Sequence, residues 1–119
     1  MATAARMSAS LFADDPALHD SLENFALNQL NWILGLNPYD ACMLQGTGHN
    51  NPAYAFFGTF EYTNAPGGIV NGITSGFDDE QGIDFNLPYV KTGKDNDWRW
   101  VEQWLPHASW FLLAIATDR

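Results

Sequence analysis

DWRWVEQWLPHASWFLLAIA, residues 97–116, decides how the rest of the chain is read. Its apolar side chains recur at helical spacing on two faces. Trp98, Val101, Leu105, Ala108, Leu112 and Ile115 line one face, and Trp100, Trp104, His107 and Phe111 line the other. A helix that is apolar on two sides is buried between neighbours on both, so the spacing predicts a helix over 96–117 packed among other helices. Asp95 and Asp97 stand where carboxylates cap the first amides and complement the helix dipole. Pro106 removes one backbone hydrogen bond and predicts an interior kink. A single acid, Glu102, lies among the tryptophans.

Upstream, DDPALHDSLENFALNQLNWILGLNP, residues 14–38, carries a second helical pattern. Asp14 or Asp15 supplies an N-cap and Pro16 suits the first turn. Leu18, Leu22, Phe25, Ala26, Leu30, Ile33 and Leu34 follow a period close to 3.6, and Gly35 and Pro38 stop the run. The predicted organisation is a flexible leader over 1–13, a helix over 16–34, a long loop over 36–94 and the terminal helix. Short strands are expected only near 56–62, where FFGTFEY partly alternates. So long a loop is abnormal in a compact domain unless it is functional or supported by structure from elsewhere. Two helices also offer few surfaces for five tryptophans. The expectation is a piece of a larger helical fold or an obligate oligomer.

Composition narrows the partners. With 46% hydrophobic residues the chain is globular, not disordered. A net charge of -9 with only five Lys and Arg argues against nucleic acid and anionic membrane, which need clustered cations. No stretch has the length and apolarity of a membrane span or a signal-peptide core. The lone Cys42 excludes an internal disulfide and a cysteine-based zinc site, and reads as a small buried apolar residue. His19, His49 and His107 lack ligand-like spacing. Asp78, Asp79 and Asp84 are the candidates for calcium, but DDEQGID fits no standard calcium loop and reads as a solvated turn. No cofactor is expected.

NQLNWILGLNPYDACMLQGTGHNNP, residues 28–52, ends a helix in a GxNP turn through Gly35, Asn37 and Pro38. A glycine-containing loop then leads through Gly46 and Gly48 to Asn51 and Pro52. APGGIVNGITSGFDD follows at 65–79, and the Glu102 segment closes the chain. In order and rough spacing these segments resemble the late part of glycoside hydrolase family 9, the cellulase- and endoglucanase-like catalytic domains, over roughly residues 20 to 117. That resemblance implies a mainly α fold: the last helices and long loop of an (α/α)6 barrel, incomplete as a single chain. It implies a β-linked oligosaccharide or polysaccharide as substrate, with the remainder of the barrel or a second copy as partner, and a secreted or periplasmic setting.

The resemblance also assigns residues. Glu102 matches the general acid that protonates the leaving glycosidic oxygen, and an apolar aromatic wall favours the protonated form such an acid needs. Trp98, Trp100 and Trp104 are the stacking or acid-tuning candidates, and His49 and Asn50 the sugar contacts. The sequence departs from the family in three places. The family's HHR triplet is replaced by AYAFFG at 53–58, its NE pair by Val101 and Glu102, and its paired-aspartate motif has no counterpart. Inverting hydrolysis needs a second carboxyl about 6.5–9.5 Å from the first, so the base is expected outside this chain. His107 reads as a hydrogen-bonded core imidazole. A different class of reading is a noncatalytic carbohydrate-binding or oligomer-assembly module built on the same fold.

Overall fold

The computed structural model describes residues 1–52, 65–72, 74–75, 83–84 and 98–117. The described elements make the chain mainly helical: α1 (Ala2–Ala9), a short 3-10 turn (Ser10–Phe12), α2 (Pro16–Ile33), α3 (Trp98–Val101) and α4 (Leu105–Ala116). A two-residue antiparallel pair joins β1 (Thr74–Ser75) to β2 (Ile83–Asp84), with Thr74 opposite Asp84. The expected strands at 56–62 lie outside the described residues.

α2 forms where the sequence places it. The Asp15 carboxylate accepts from the Leu18 N–H at 3.1 Å, satisfying an otherwise orphan donor, and Pro16 occupies the first turn. At the other end Gly35 takes φ 119, which a β-carbon disfavours. The Leu36 N–H returns to the Asn31 carbonyl at 2.9 Å and closes the helix. Asn37 then staples the turn: its Nδ2 donates to the carbonyls of Trp32 and Ala41, each at 2.8 Å. Its Oδ1 accepts from the amides of Tyr39 at 3.1 Å and Ala41 at 3.3 Å. Asn51 does the same for the next loop, its Nδ2 lying 2.9–3.0 Å from the carbonyls of Cys42, Leu44 and Thr47.

Residues 1–13 differ from the flexible leader expected. α1 packs on both α2 and α4. Ala2 and Ala5 bury against Ala26, Leu30 and Ala114, and side chains this small let the helices approach closely. Thr3 Oγ1 donates to the Trp110 carbonyl at 2.9 Å. The buried Arg6 donates to the Ala114 carbonyl at 2.6 Å and pairs with Glu23 at 3.3 Å. A cation is favoured there because Ala114 belongs to the last turn of α4, whose carbonyls lack helical partners.

The terminal helix also differs from expectation. α3 ends at Val101, residues 102–104 run extended, and α4 begins at Leu105 with Pro106 in its first turn. Proline starts this helix instead of kinking it, because its missing N–H costs nothing in a first turn. The released backbone pairs elsewhere. Residues 68–72 lie between 43–45 and 100–104, with bridges Leu44 to Ile69 and Val70 to Gln103. The Val70 N–H bonds Met43 at 3.2 Å, Asn71 bonds Glu102 at 2.9 Å, and Gly72 bonds Trp100 at 2.6 Å, each on the carbonyl. This ladder encloses a core of Ala41, Met43, Ile69, Val70, Trp100 and Val101, and Phe111 packs against both this core and the alanine-rich one.

Among the described residues, α4 is buried along one edge. Ala114 is its one buried residue, while Leu105 is 79%, Leu112 67% and Trp110 61% exposed. Burial on both faces, expected from the sequence, is not met within the described residues. Cys42 is buried, as its reading required.

Candidate functional site

Glu102 opens the extended break between α3 and α4 and is buried, with 8% exposure. Its backbone is fixed by the Asn71 amide, and its side chain meets the same residue: Asn71 Nδ2 lies 3.3 Å from Glu102 Oε2. The other end of the Asn71 amide, Oδ1, lies 2.9 Å from His107 Nε2 on the first turns of α4. Three residues from two distant stretches thus form one hydrogen-bonded chain. An amide oxygen only accepts, so His107 must carry its proton on Nε2 in this arrangement. The tautomer is therefore assigned by Asn71. His107 is exposed, not in the core, although it is hydrogen-bonded as expected.

The segment that aims Asn71 is set by a glycine. Gly72 adopts φ 74, and a β-carbon there would lie 2.7 Å from Met43 Sδ. The turn after Asn71 therefore follows a path closed to other residues without rearrangement. Trp104 caps α4 with extended backbone, is 50% exposed, and lies with its ring centroid 6.3 Å from that of His107. It presents an accessible aromatic face beside the chain.

The other expected site residues separate from this cluster in different ways. Trp100, the stacking or acid-tuning candidate, is buried in the ladder core with Arg99 over its ring at 5.5 Å. Trp98 opens α3, and its side chain lies outside the described residues. His49 and Asn50 occur together on the 37–51 loop, both exposed and both tied to Asp40. His49 Nε2 lies 2.9 Å from each Asp40 carboxylate oxygen, and Asn50 Nδ2 donates to the Asp40 carbonyl at 3.0 Å. Among the described residues, these hydrogen bonds tie both to Asp40.

Asn71 and His107 also line a cavity of about 500 Å³ between α1, α2 and α4, with Leu30, Ile33 and Phe111 among its apolar walls. Glu102 lies outside this lining. No second carboxylate hydrogen-bonds to Glu102 or His107 among the described residues. No group of His, Cys, Asp and Glu among them is arranged to hold a metal ion. His19 pairs instead with Asp20, far in sequence from the other two histidines. Of the calcium candidates, Asp78 and Asp79 lie outside the described residues, and Asp84 sits in β2. No described helix is long and apolar enough to cross a membrane.

Sequence reasoning missed Asn71. Its one visible signal was its place inside GGIVNG, a short apolar run bracketed by glycines, which marks a close backbone approach. In comparison with known proteins, the chain matches no family model and no curated relative.

Proposed function

We propose that this chain is the C-terminal part of a glycoside hydrolase catalytic domain of the family 9 type, with Glu102 as the general acid. The observation that carries the reading is the setting of Glu102: a buried acid at a backbone break, one oxygen held by an amide donor, with an exposed tryptophan, Trp104, against the His107 ring of the same hydrogen-bonded chain. In this reading Glu102 gives its proton to the glycosidic oxygen as the bond to the anomeric carbon breaks. Water attacks the opposite face of the sugar, and its proton passes to a carboxylate base supplied outside this chain. Trp104 supplies the stacking face, and His49 and Asn50, on the separate 37–51 loop, are the polar sugar contacts that the family resemblance assigns. The bare surface of α4 supports the same reading, because an (α/α)6 barrel would cover it with neighbouring helices.

That bare surface also favours a second reading, a noncatalytic carbohydrate-binding or assembly module, since large exposed apolar patches mark interaction sites. One experiment separates them. In the full protein that contains this chain, Glu102→Gln is assayed on a soluble β-glucan. Loss of general-acid assistance is expected to lower turnover by ~10²–10⁴-fold with oligosaccharide affinity kept. Undiminished turnover rejects the acid assignment. Sugar binding without turnover in the unsubstituted protein, together with self-association by light scattering, supports the module.

A further inference from the structure

We propose that Asn71 is a positioning residue for Glu102, held in turn by His107, and that the chain of hydrogen bonds selects Glu102 Oε1 as the oxygen that delivers the proton. The proposal rests on the acid reading of Glu102 and adds the residues that control it. Its geometric part stands on distances alone: His107 Nε2 to Asn71 Oδ1 at 2.9 Å, and Asn71 Nδ2 to Glu102 Oε2 at 3.3 Å.

The amide has a donor end and an acceptor end. The structure places Nδ2 on Glu102 Oε2 and Oδ1 on His107 Nε2, and in that placement His107 must donate. The Asn71 backbone cannot shift independently, because its own N–H bonds the Glu102 carbonyl at 2.9 Å and the next amide bonds Trp100. The side chain and main chain of Asn71 therefore grip Glu102 at two points.

Oε2 accepts the Asn71 N–H, and in a protonated carboxyl the oxygen without the proton is the better acceptor, which favours the proton on the other oxygen. The acid proton is held on Oε1, which has no hydrogen-bond partner among the described residues. When the Oε1–H bond breaks, the proton goes to the glycosidic oxygen, the electron pair of the broken glycosidic bond goes to that same oxygen, and a carboxylate remains on Glu102. The Nδ2–H···Oε2 contact becomes charge-assisted at that moment and strengthens. A contact that is stronger after proton transfer than before it lowers the barrier instead of only binding the ground state. His107 contributes by holding Oδ1 and so preventing the amide from turning over.

The test has two arms. In long-range proton–nitrogen correlation spectra of this chain, at a pH where the imidazole is neutral, His107 is expected almost entirely as the Nε2–H tautomer. Asn71→Leu, which keeps the size and removes both polar ends, is expected to return it toward a mixture. An Nδ1–H tautomer in the unsubstituted protein overturns the chain of bonds. In the full protein, Asn71→Leu is assayed on aryl glycosides of β-linked glucose oligomers with two leaving groups. With a poor leaving group, which needs the proton, kcat is expected to fall ~10- to 100-fold at little change in KM, the range of one hydrogen bond to a charged group. With a dinitrophenyl leaving group, which departs unaided, kcat is expected to stay within about twofold. His107→Gln, which retains an N–H donor, is expected to keep most of the activity that His107→Leu loses. Equal loss on both leaving groups, or no loss on either, overturns the positioning role. If Glu102→Gln keeps full turnover while the tautomer is as stated, the acid reading fails, the catalytic half of this proposal falls with it, and the hydrogen-bonded chain stands as structure only.

Discussion

Two parts of the molecule bury their cores by different means. In the corner of α1, α2 and α4, alanines let helices meet closely, and Arg6 closes the contact by reaching the end of α4. In the ladder of 43–45, 68–72 and 100–104, larger side chains such as Met43, Ile69, Val70 and Trp100 pack under backbone bonds that join stretches far apart in sequence. The corner's buried polar side chains, Thr3 and Arg6, each tie α1 to a carbonyl of α4. The ladder carries its polar groups as a connected chain from His107 through Asn71 to Glu102. The difference is one of construction: the corner holds helices together, and the ladder holds the connected polar groups to which the proposed chemistry is assigned.

The largest expected effect falls in the corner. Arg6 is buried, pairs with Glu23 and bonds the Ala114 carbonyl. Arg6→Leu leaves the partly covered Glu23 carboxylate without its cation and opens the α1–α4 contact, and is expected to cost about 3 kcal/mol in urea unfolding, the low end for a broken buried pair. If the corner is only a scaffold, the His107 tautomer stays unchanged in the folded protein. A cost within 0.5 kcal/mol, the ordinary range for surface substitutions, would mean that α1 contributes little to the fold.

The same contrast explains what the sequence disclosed. The start and stop of α2 were legible because Asp15, Pro16 and Gly35 act within one turn of where they stand. α1 was not, because Ala2, Ala5 and Ala9 carry too weak an apolar signal to mark a buried face, and their burial depends on α4 at the far end of the chain. The break at 102–104 was read as continuous helix. Helical spacing does not reveal that Val70 pairs with Gln103, and Pro106 fits a first turn as readily as a kink. Glu102 was singled out by its aromatic surroundings and its motif, whereas Asn71 reaches it across 31 residues and His107 reaches Asn71 across 36. Trp100, a stacking or acid-tuning candidate by resemblance, is buried in the ladder core, which a sequence pattern does not reveal because it gives a face without saying what covers it.

A smaller effect is expected in the ladder, but with a different signature. Gly72→Ala places a side chain at φ 74 and pushes a β-carbon toward Met43 Sδ. The left-handed backbone costs roughly 1–2 kcal/mol, and the flexible methionine end can yield part of the clash, so a total near 2 kcal/mol is expected in the same unfolding assay. Unlike Arg6→Leu, this change turns the residue next to Asn71. It should shift the His107 ring signals toward those of Asn71→Leu. Lost stability with unmoved His107 signals would show that Gly72 serves packing alone and that Asn71 is aimed by its pairing with Glu102.

The smallest effect sharpens the comparison from the corner's side. Asp15→Ala removes the carboxylate that accepts from the Leu18 amide at 3.1 Å on an exposed helix end. The expected cost is ~1 kcal/mol, the usual value of an N-cap. Because that end of α2 lies some eighteen residues from Ile33, the point at which the helix bonds the ladder strand 43–45, the His107 tautomer should not change. A moved tautomer would mean that fraying at Asp15 is transmitted along α2 to Ile33, whose carbonyl accepts from Met43 at 2.8 Å, and from Met43 to Val70 beside Asn71. Corner and ladder would then be one cooperative unit, and the separation of scaffold from chemistry drawn from their cores would not hold.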